Sequence, residues 1–477
     1  MSSGLWTAYE SAAATNGILC ARGGDPGRWV AEEWIAKGIS IDTRTITPGD
    51  MFVALKDARD GHEFLQDAFT KGASAALVAK APANAPEGVP FLLVQDTLEG
   101  LSDLAKAAKE RNFGKRIGIT GSVGKTSTKE MLRAALSEIG AVHAADRSFN
   151  NHWGVPLTLA RMPADTDFGV FEIGMNHAGE ITPLTKLVAP DVAVITTVAP
   201  AHLEFFPSVE AIAQAKAEIF LGVADGGTCV LPIDNPHFEL LRQKAIDAGV
   251  SNVLTFGEAP EADVRLSEYR TDGSKGFIAA CVKNGGVFEF SLSAPGKHQA
   301  LNALAVLAVV TALKLPMEKA IKGLEAVGAA DGRGQQHEIK LPGGVTVCLL
   351  DESYNANPMS MAAALNLLGT ISPRENGRRI AILGEMLELG ANGPRYHAEI
   401  AEHLEAADVS CVFAVGELMA HLWAALDPAV KTAHANTADE IVESFLETLE
   451  NGDVVMVKGS NASKVSKVVS ALKERSL

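Results

Sequence analysis

A short glycine-rich loop constrains the fold more than any other feature of this sequence. Residues 121–127 read Gly-Ser-Val-Gly-Lys-Thr-Ser, between an apolar run at 116–120 and a helix-like segment that continues past residue 129. Backbone N–H groups of such a loop converge on an anion, and the N-terminus of the following helix adds partial positive charge. Lys125 can reach the β- and γ-phosphates of a nucleotide, and Thr126 can ligate Mg²⁺. We therefore predict a phosphate loop within an α/β fold.

The loop is shorter than the usual pattern, which has a glycine five residues before Gly124. Ile119 occupies that position, and the glycine stands at Gly121 instead. A chance glycine turn before a helix is the alternative, but the preceding strand and the Gly-Lys-Thr triplet disfavour it. The residues predicted to bind the nucleotide through this loop are Gly121, Ser122, Val123, Gly124, Lys125, Thr126 and Ser127.

Alternating apolar runs and helix-like segments predict an α/β fold in three domains. The chain has 477 residues, and at about 150 residues per domain that length suffices for about three. We expect a small α/β domain over 1–95, a central ATPase domain with a parallel sheet over 96–330, and a Rossmann-like α/β domain over 331–477. Continuous apolar runs at 170–173 and 192–198 suit central strands that are buried on both faces.

Composition and charge exclude several classes of protein. Hydrophobic residues make up 47% of the chain and charged residues 21%, which rules out disorder as the main state. The net charge of −16 disfavours binding nucleic acid by bulk electrostatics. We see no apolar run long enough to span a membrane and no signal peptide. The five cysteines form no CxxC pair, so we expect a reducing, cytoplasmic location.

Beyond the phosphate loop, nine stretches in order carry a family resemblance. They are DTRT with TPGDMFVALK, SFNNHWGVP, FEIGMNHAGEI, APAHLEFF, AKAEIF, PGKHQALNALA, LDESYNANP, LGEMLELG and VKGSNASK. Together with TGSVGKTSTKEM, they resemble the Mur ligases, the ATP-dependent amide-forming enzymes of peptidoglycan precursor synthesis. SYNANP and the FNN–GVP pair resemble in particular the members that act on D-alanyl-D-alanine.

The resemblance implies a ligase that joins D-Ala-D-Ala to a UDP-N-acetylmuramoyl-tripeptide through an acyl phosphate. Its small-molecule partners would be these two substrates, with ATP and Mg²⁺, and it would act as a monomer. Alternatives within the class are a sibling ligase that adds one amino acid and a folylpolyglutamate synthase. A phosphate-loop switch or kinase, whose third domain binds a protein partner, is an alternative from another class.

Two residues that follow strands are candidate metal ligands. Glu172 ends the run at 170–173 and His202 follows the run at 192–198, so both would lie in the crevice where open α/β sheets bind ligands. Taken alone, Glu172 is better explained as a helix-cap or salt-bridge residue, His202 as a satisfied polar residue and Lys216 as a solvated charge. The resemblance implies that Thr126, Glu172, His202 and a carbamylated Lys216 hold Mg²⁺. It also implies that Lys125, Lys216 and His202 are the catalytic residues.

The resemblance implies further binding residues in all three domains. His298 and Asn302 would lie near the adenine, and Arg333 would contact the ATP phosphates. Asp351 would bind ATP, although Glu352 replaces the second aspartate that is frequent in the family, which leaves open which acid does so. The residues implied in substrate binding are Thr43, Arg44, Asn150, Asn151, Tyr354, Asn355 and Asn357. Turn and loop chemistry is the alternative for several of them.

Overall fold

The computed structural model describes residues 4–21, 34–80, 88–328, 332–374 and 376–477. Within these ranges the chain forms three large sheets of five, nine and six strands, together with a two-stranded ribbon. Helices separate most of the strands, so the mixed α/β fold with parallel sheets is confirmed. Part of the linker expected near residue 330 lies outside the described residues.

The first sheet is mostly parallel. Only its first pair in spatial order, Ile18–Ala21 with Pro90–Leu93, is antiparallel. The remaining strands, in spatial order, are Ala75–Val78, Asp50–Val53 and Gly38–Ser40. Trp6–Thr7 and Ile35–Ala36 form the separate antiparallel ribbon. The Trp6 indole donates to the carbonyl of Ala160 at 2.9 Å, which ties this ribbon to the central part of the chain.

The central sheet combines a parallel half with an antiparallel extension. Its strands, in spatial order, are Val142–Ala144, Phe168–Glu172, Lys115–Thr120, Val192–Ile195, Thr228–Pro232, Asn252–Gly257, Val264–Thr271, Gly276–Val282 and Gly286–Leu292. The last three pair antiparallel. The strand predicted at 192–198 ends earlier, at Ile195.

The central strands are buried on both faces because their apolar side chains alternate between two cores. Val192 and Val194 join one core, whereas Ala193 and Ile195 join the other. The helix Lys297–Ala312 lies in the core that contains Val192 and Val194, and apolar residues cover almost its whole circumference. Because these central strands are covered on both faces, a ligand can approach them only beyond the strand ends, which is where ligands bind in such folds.

The third sheet is parallel apart from its first strand, as in the Rossmann-like domain predicted. Its order is Gln335–Lys340, Thr346–Glu352, Val454–Lys458, Arg379–Gly384, Cys411–Val415 and Lys431–Ala435. The first and last of these strands were missed in the sequence because exposed polar residues interrupt their apolar pattern.

The helices cover the faces of the three sheets. The α-helices are Ala8–Thr15, Leu65–Thr70, Thr97–Glu110, Lys125–Ser137, Gly154–Ala160, Ile181–Val188, Val209–Ala217, Phe238–Asp247, Lys297–Ala312, Met317–Ala326, Pro358–Thr370, Gly393–Ala406, Met419–Ala425, Ala438–Thr448 and Ser466–Glu474. Among the residues described, none of these helices has both the length and the apolar character needed to cross a membrane.

Stability of the third domain should depend on His397, which is fully buried. Its Nε2 accepts from the Met386 N–H at 2.9 Å, and its Nδ1 lies 2.7 Å from the Gly393 carbonyl oxygen. Only the neutral ring satisfies both contacts, and burial lowers its pKa. Below about pH 6.5, His397 binds a proton in the unfolded chain but stays neutral in the folded chain. The free energy of unfolding should therefore fall by up to about 1.4 kcal/mol per pH unit.

Urea unfolding at pH 7.5 and 5.5 measures this loss. His397→Gln should be less stable than the parent chain at pH 7.5, because an amide fits the two contacts less well. It should also lose less stability on acidification. An unchanged pH dependence in His397→Gln would assign the acid sensitivity to other groups.

Candidate active site

A cavity of about 640 Å³ lies between the central and third sheets. It opens beyond the carboxyl ends of the central strands Lys115–Thr120 and Phe168–Glu172, and residues of the third sheet's loops close its other side. Most of the predicted site residues line it. They are Ser122, Val123, Gly124, Lys125, Thr126, Ser127, Asn150, Glu172, His202, His298, Asn302, Arg333, Tyr354, Asn355 and Asn357.

The loop of residues 121–127 has the backbone geometry of an anion cradle. Gly124 has φ +86° and immediately precedes the helix Lys125–Ser137. Residues with a side chain disfavour this backbone conformation, so glycine allows the chain to pass from the loop into the helix here. The Lys125 ammonium folds back to donate to the Gly121 carbonyl at 2.7 Å. Burial lowers the pKa of Lys125, and the nearby Glu172 carboxylate opposes that shift.

A carboxylate network lies next to this loop. Thr126 donates its hydroxyl hydrogen to Glu172 Oε2 at 2.9 Å, and the Asn150 amide donates to Oε1 at 2.8 Å. Glu172 is only 3% exposed. A buried carboxylate beside a threonine hydroxyl supplies the hard oxygen ligands that Mg²⁺ prefers, so these residues fit the predicted metal.

His202 reaches the cavity from a loop with strained backbone. Its φ is +56°, and its Nδ1 lies 2.5 Å from Glu388 Oε2 of the third domain. The hydrogen bond from His202 lowers the pKa of Glu388. The described part of the chain contains no cluster of three or more His, Cys, Asp or Glu side chains able to hold a metal.

Lys216 is buried in the helix Val209–Ala217 and does not line the cavity directly. Burial lowers its pKa well below the usual lysine value, and the positive charge of Lys125 lowers it further. The surroundings therefore favour the neutral amine over the ammonium.

Tyr354 links the third domain to the phosphate loop. Its hydroxyl donates to Ser148 Oγ at 3.1 Å, and Ser148 Oγ lies 3.2 Å from Thr126 Oγ1. The guanidinium of Arg333 stacks over the Tyr354 ring at 3.9 Å. These contacts place two predicted ligand-binding residues beside the phosphate loop and bridge the two domains.

Glu352, not Asp351, faces the cavity. Asp351 does not line the cavity, and its carboxylate accepts from the Ser353 hydroxyl at 2.6 Å. Glu352 pairs with the fully buried Lys458 at 3.4 Å. Lys458 also donates to the Asn355 carbonyl at 3.0 Å and lines the cavity.

Three predicted substrate residues lie away from the cavity. Asn151 accepts from the Gly154 N–H at 2.9 Å and organises the turn into the helix Gly154–Ala160. Thr43 and Arg44 lie in the first domain, where Arg44 pairs with Asp42 at 2.7 Å. The structure therefore does not place these three with the phosphate loop.

Two cavity residues also have local structural roles. Asn357 lines the cavity but caps the helix Pro358–Thr370 by accepting from the Ser360 N–H at 2.9 Å. Asn302 packs so closely on the phosphate loop that a Cβ built at Gly124 would come within 2.5 Å of its Oδ1.

Sequence reasoning missed several polar residues of the cavity wall. They are Ser148, Asp234, Asn235 and Lys458. Asp234 and Asn235 come one residue after the strand Thr228–Pro232, so the rule that ligands bind beyond strand ends could have found them. Lys458 ends a strand in the same way.

Family models match most of the chain. Residues 119–310 match the Mur ligase middle domain, and residues 332–461 match the Mur ligase, glutamate ligase domain. The phosphate loop at the end of a central strand, facing a third domain across a shared cavity, agrees with that match. The chain belongs to the Mur ligase family.

Within that family, the chain is similar to UDP-N-acetylmuramoyl-tripeptide–D-alanyl-D-alanine ligases. It is 34% identical to the ligase of Bacillus subtilis (strain 168), over 94% of this chain and 95% of that one. It is 32% identical to the ligase of Rickettsia prowazekii (strain Madrid E), over 90% and 94%.

Solved structures give the same result. A crystal structure of MurF from Acinetobacter baumannii has a TM-score of 0.83 and 28% identity, and the match covers 98% of this chain and 99% of that one. The MurF ligase of Thermotoga maritima in complex with ADP has a TM-score of 0.77 and 26% identity, covering 92% and 97%.

Proposed function

We propose that this chain is an ATP-dependent ligase that joins D-Ala-D-Ala to UDP-N-acetylmuramoyl-tripeptide, giving the pentapeptide precursor of peptidoglycan. The observation that carries the proposal is the phosphate loop that opens into a cavity closed by the third domain. The chain is also similar to relatives that are named for this reaction, over more than nine-tenths of their length.

In the first step, an oxygen of the tripeptide's terminal carboxylate attacks the γ-phosphorus of ATP. The new O–P bond gives an acyl phosphate, and the bond to the bridging oxygen breaks to release ADP. The backbone N–H groups of the phosphate loop hold the phosphates. The Lys125 ammonium stabilises the negative charge that develops on the transferred group.

In the second step, the amine of D-Ala-D-Ala attacks the acyl carbon. The tetrahedral intermediate loses inorganic phosphate, the amine gives up a proton, and an amide remains. Water must be kept out, since it would hydrolyse the acyl phosphate. The contact between Tyr354 and Ser148, which bridges the third domain and the phosphate loop, supports this closure.

Thr126 would hold the Mg²⁺ that ATP carries, and Glu172 and His202 would hold a second Mg²⁺ in this site. When bound, Mg²⁺ neutralises charge on the phosphates during the transfer. Lys216 would contribute as a carbamate, because a buried neutral amine can react with CO₂ and the product is an anion suited to a hard cation. Its lowered pKa supports this part of the proposal.

The remaining ligand contacts follow from the cavity. His298 and Asn302 would contact the adenine, and Arg333 would contact the phosphates. Glu352, which faces the cavity, takes the nucleotide role in place of Asp351. Asn150, Tyr354, Asn355 and Asn357 would contact the peptide substrates.

The three-domain division, with limits near 95 and 330, belongs to the same proposal. The first domain would hold the UDP end of the substrate through Thr43 and Arg44, at a distance from the chemistry that suits a long substrate. We also propose a monomer in the cytoplasm. The five cysteines, none of which is paired in a disulfide, support a reducing compartment.

Phosphate release with a matrix of UDP-muramoyl peptides and acceptors tests the proposal. Release should require both the tripeptide substrate and D-Ala-D-Ala, and mass spectrometry should find the amide product. Release that single amino acids support equally would favour a sibling ligase. Slow hydrolysis of ATP without an amide product would favour a switch.

Nucleotide binding should depend on Gly124 for a steric reason. In Gly124→Ala, the new Cβ would approach Asn302 Oδ1 to 2.5 Å and push it out of the cavity wall. We expect the Kd for ATP to rise about 10-fold or more, a loss of about 1.4 kcal/mol or more. Isothermal titration calorimetry measures the change.

Gly179→Ala is the matched control for that variant. Gly179 has φ +90°, close to the +86° of Gly124, but a Cβ there meets nothing within 4 Å. Both variants should lose about 1–2 kcal/mol of stability through backbone strain. An equal loss of ATP affinity in both would show that the encounter with Asn302 has no effect on binding.

A further inference from the structure

We propose that Glu388 is a positioning residue that orients His202 for the metal, so that the third domain completes the metal site of the central domain. The inference rests on the proposed function, in which His202 faces the metal. Glu388 belongs to the LGEMLELG stretch, which has no role in the proposed reaction steps.

The first observation is the hydrogen bond between the two side chains. His202 Nδ1 lies 2.5 Å from Glu388 Oε2, across the boundary between the two domains. An ionised carboxylate can only accept hydrogen bonds, so Nδ1 carries the hydrogen. In the neutral ring, Nε2 then keeps its lone pair and is the nitrogen free to bind a cation. A carboxylate behind the imidazole is the usual partner of a metal-ligating histidine.

The second observation is that both loops have strained backbones at this contact. His202 has φ +56° and Glu388 has φ +62°. Residues other than glycine rarely adopt this region of backbone conformation. Such strain persists only where the surroundings enforce it, and it is concentrated at functional sites. Here two strained residues meet each other.

The third observation is that backbone contacts fix the two loops together. The Glu204 N–H donates to the Glu388 carbonyl oxygen at 3.0 Å and joins the two loops, and the Phe205 N–H donates to the His202 carbonyl oxygen at 2.9 Å within the first loop. A Cβ built at Gly390 would lie 3.3 Å from Glu204 Cα, so the chains approach closely. The side-chain pair therefore sits in a defined interface between the domains.

These contacts give Glu388 a role that differs from ordinary domain docking. The carboxylate lies behind the ring, whereas His202 itself lines the cavity. When the domains separate, His202 loses the group that fixes its tautomer and ring direction. Metal affinity should then depend on closure of the third domain, and metal binding should in turn favour closure.

Mn²⁺ titration of the full chain with a non-hydrolysable ATP analogue, followed by electron paramagnetic resonance, tests this inference. The parent chain should bind a second Mn²⁺ beyond the one carried by the nucleotide. Glu388→Ala should weaken that second site about 10- to 100-fold. Glu388→Gln should weaken it less, because the amide oxygen still accepts from Nδ1.

Two further variants serve as controls for loss of the second Mn²⁺ site and for its retention. His202→Gln should abolish the second site, whereas Glu417→Gln, which alters an exposed carboxylate of the same domain, should bind like the parent chain. Thermal unfolding checks that each variant is folded. Ring ¹⁵N signals of histidine-labelled protein, with the His202 signal assigned from His202→Gln, should show a change of tautomer in Glu388→Ala.

Three outcomes would overturn the inference. They are a parent chain with no second Mn²⁺ site, a Glu388→Ala variant with undiminished Mn²⁺ affinity, and variants that change the radius of gyration in solution scattering without changing Mn²⁺ affinity. Failure of the proposed function is a separate result, since it appears as a parent chain that binds Mn²⁺ but forms no amide with D-Ala-D-Ala.

Discussion

Lys125→Ala is expected to lower kcat for amide formation by about 10²–10³-fold, the usual effect of removing one preorganised charge from a transition state. Lys125 is the first residue of the helix Lys125–Ser137, at the loop that we propose holds the transferred phosphate. The ammonium donates a hydrogen bond to the Gly121 carbonyl at 2.7 Å. Phosphate release under saturating ATP measures the loss.

The fold should survive this substitution. Lys125 packs against the loop and cavity rather than within a hydrophobic core, so thermal unfolding of Lys125→Ala should resemble that of the parent chain. Lys322→Ala is a suitable control, because Lys322 pairs with Glu138 at 2.7 Å on an exposed face. Full turnover in a folded Lys125→Ala variant would remove the phosphate-loop lysine from the mechanism.

The phosphate loop was predictable from sequence because its chemistry is local. Glycines, lysine and threonine act within seven consecutive residues, and the flanking strand and helix are signalled by neighbouring apolar positions. The central strands were predictable for a similar reason, since alternation between two cores leaves a continuous apolar run. Family resemblance supplied the order of the domains and most of the cavity residues.

The remaining features depend on side-chain directions that no local pattern encodes. Asp351 and Glu352 are adjacent acids on one strand, and successive side chains of a strand point to opposite faces. Which acid faces the cavity is decided by the packing of the third sheet against the central domain. The pairing of His202 with Glu388 joins positions 186 residues apart, so it follows only from how the domains meet.

Lys216 is the other residue whose replacement should have a large effect. The pKa of lysine is normally about 10.4, so lysine is a cation at neutral pH. Burial and the charge of Lys125 lower the pKa of Lys216 well below that value, which increases the neutral amine. The neutral nitrogen can form a bond to the carbon of CO₂ and release one proton, leaving a carbamate anion. Lys216→Ala should therefore lose about 10²-fold or more of kcat.

Recovery by small carboxylic acids separates this role from a purely structural one. Formate or acetate should restore part of the activity of Lys216→Ala, because either can place a carboxylate where a carbamate on Lys216 would lie. The parent chain should lose activity when CO₂ is removed, and protein equilibrated with ¹³CO₂ should show a carbamate carbon signal that Lys216→Ala lacks. Lys186→Ala, which alters a lysine at the end of the helix Ile181–Val188, should behave like the parent chain. A fully active Lys216→Ala, or a parent chain indifferent to CO₂, would leave Lys216 as a buried lysine without a part in the reaction.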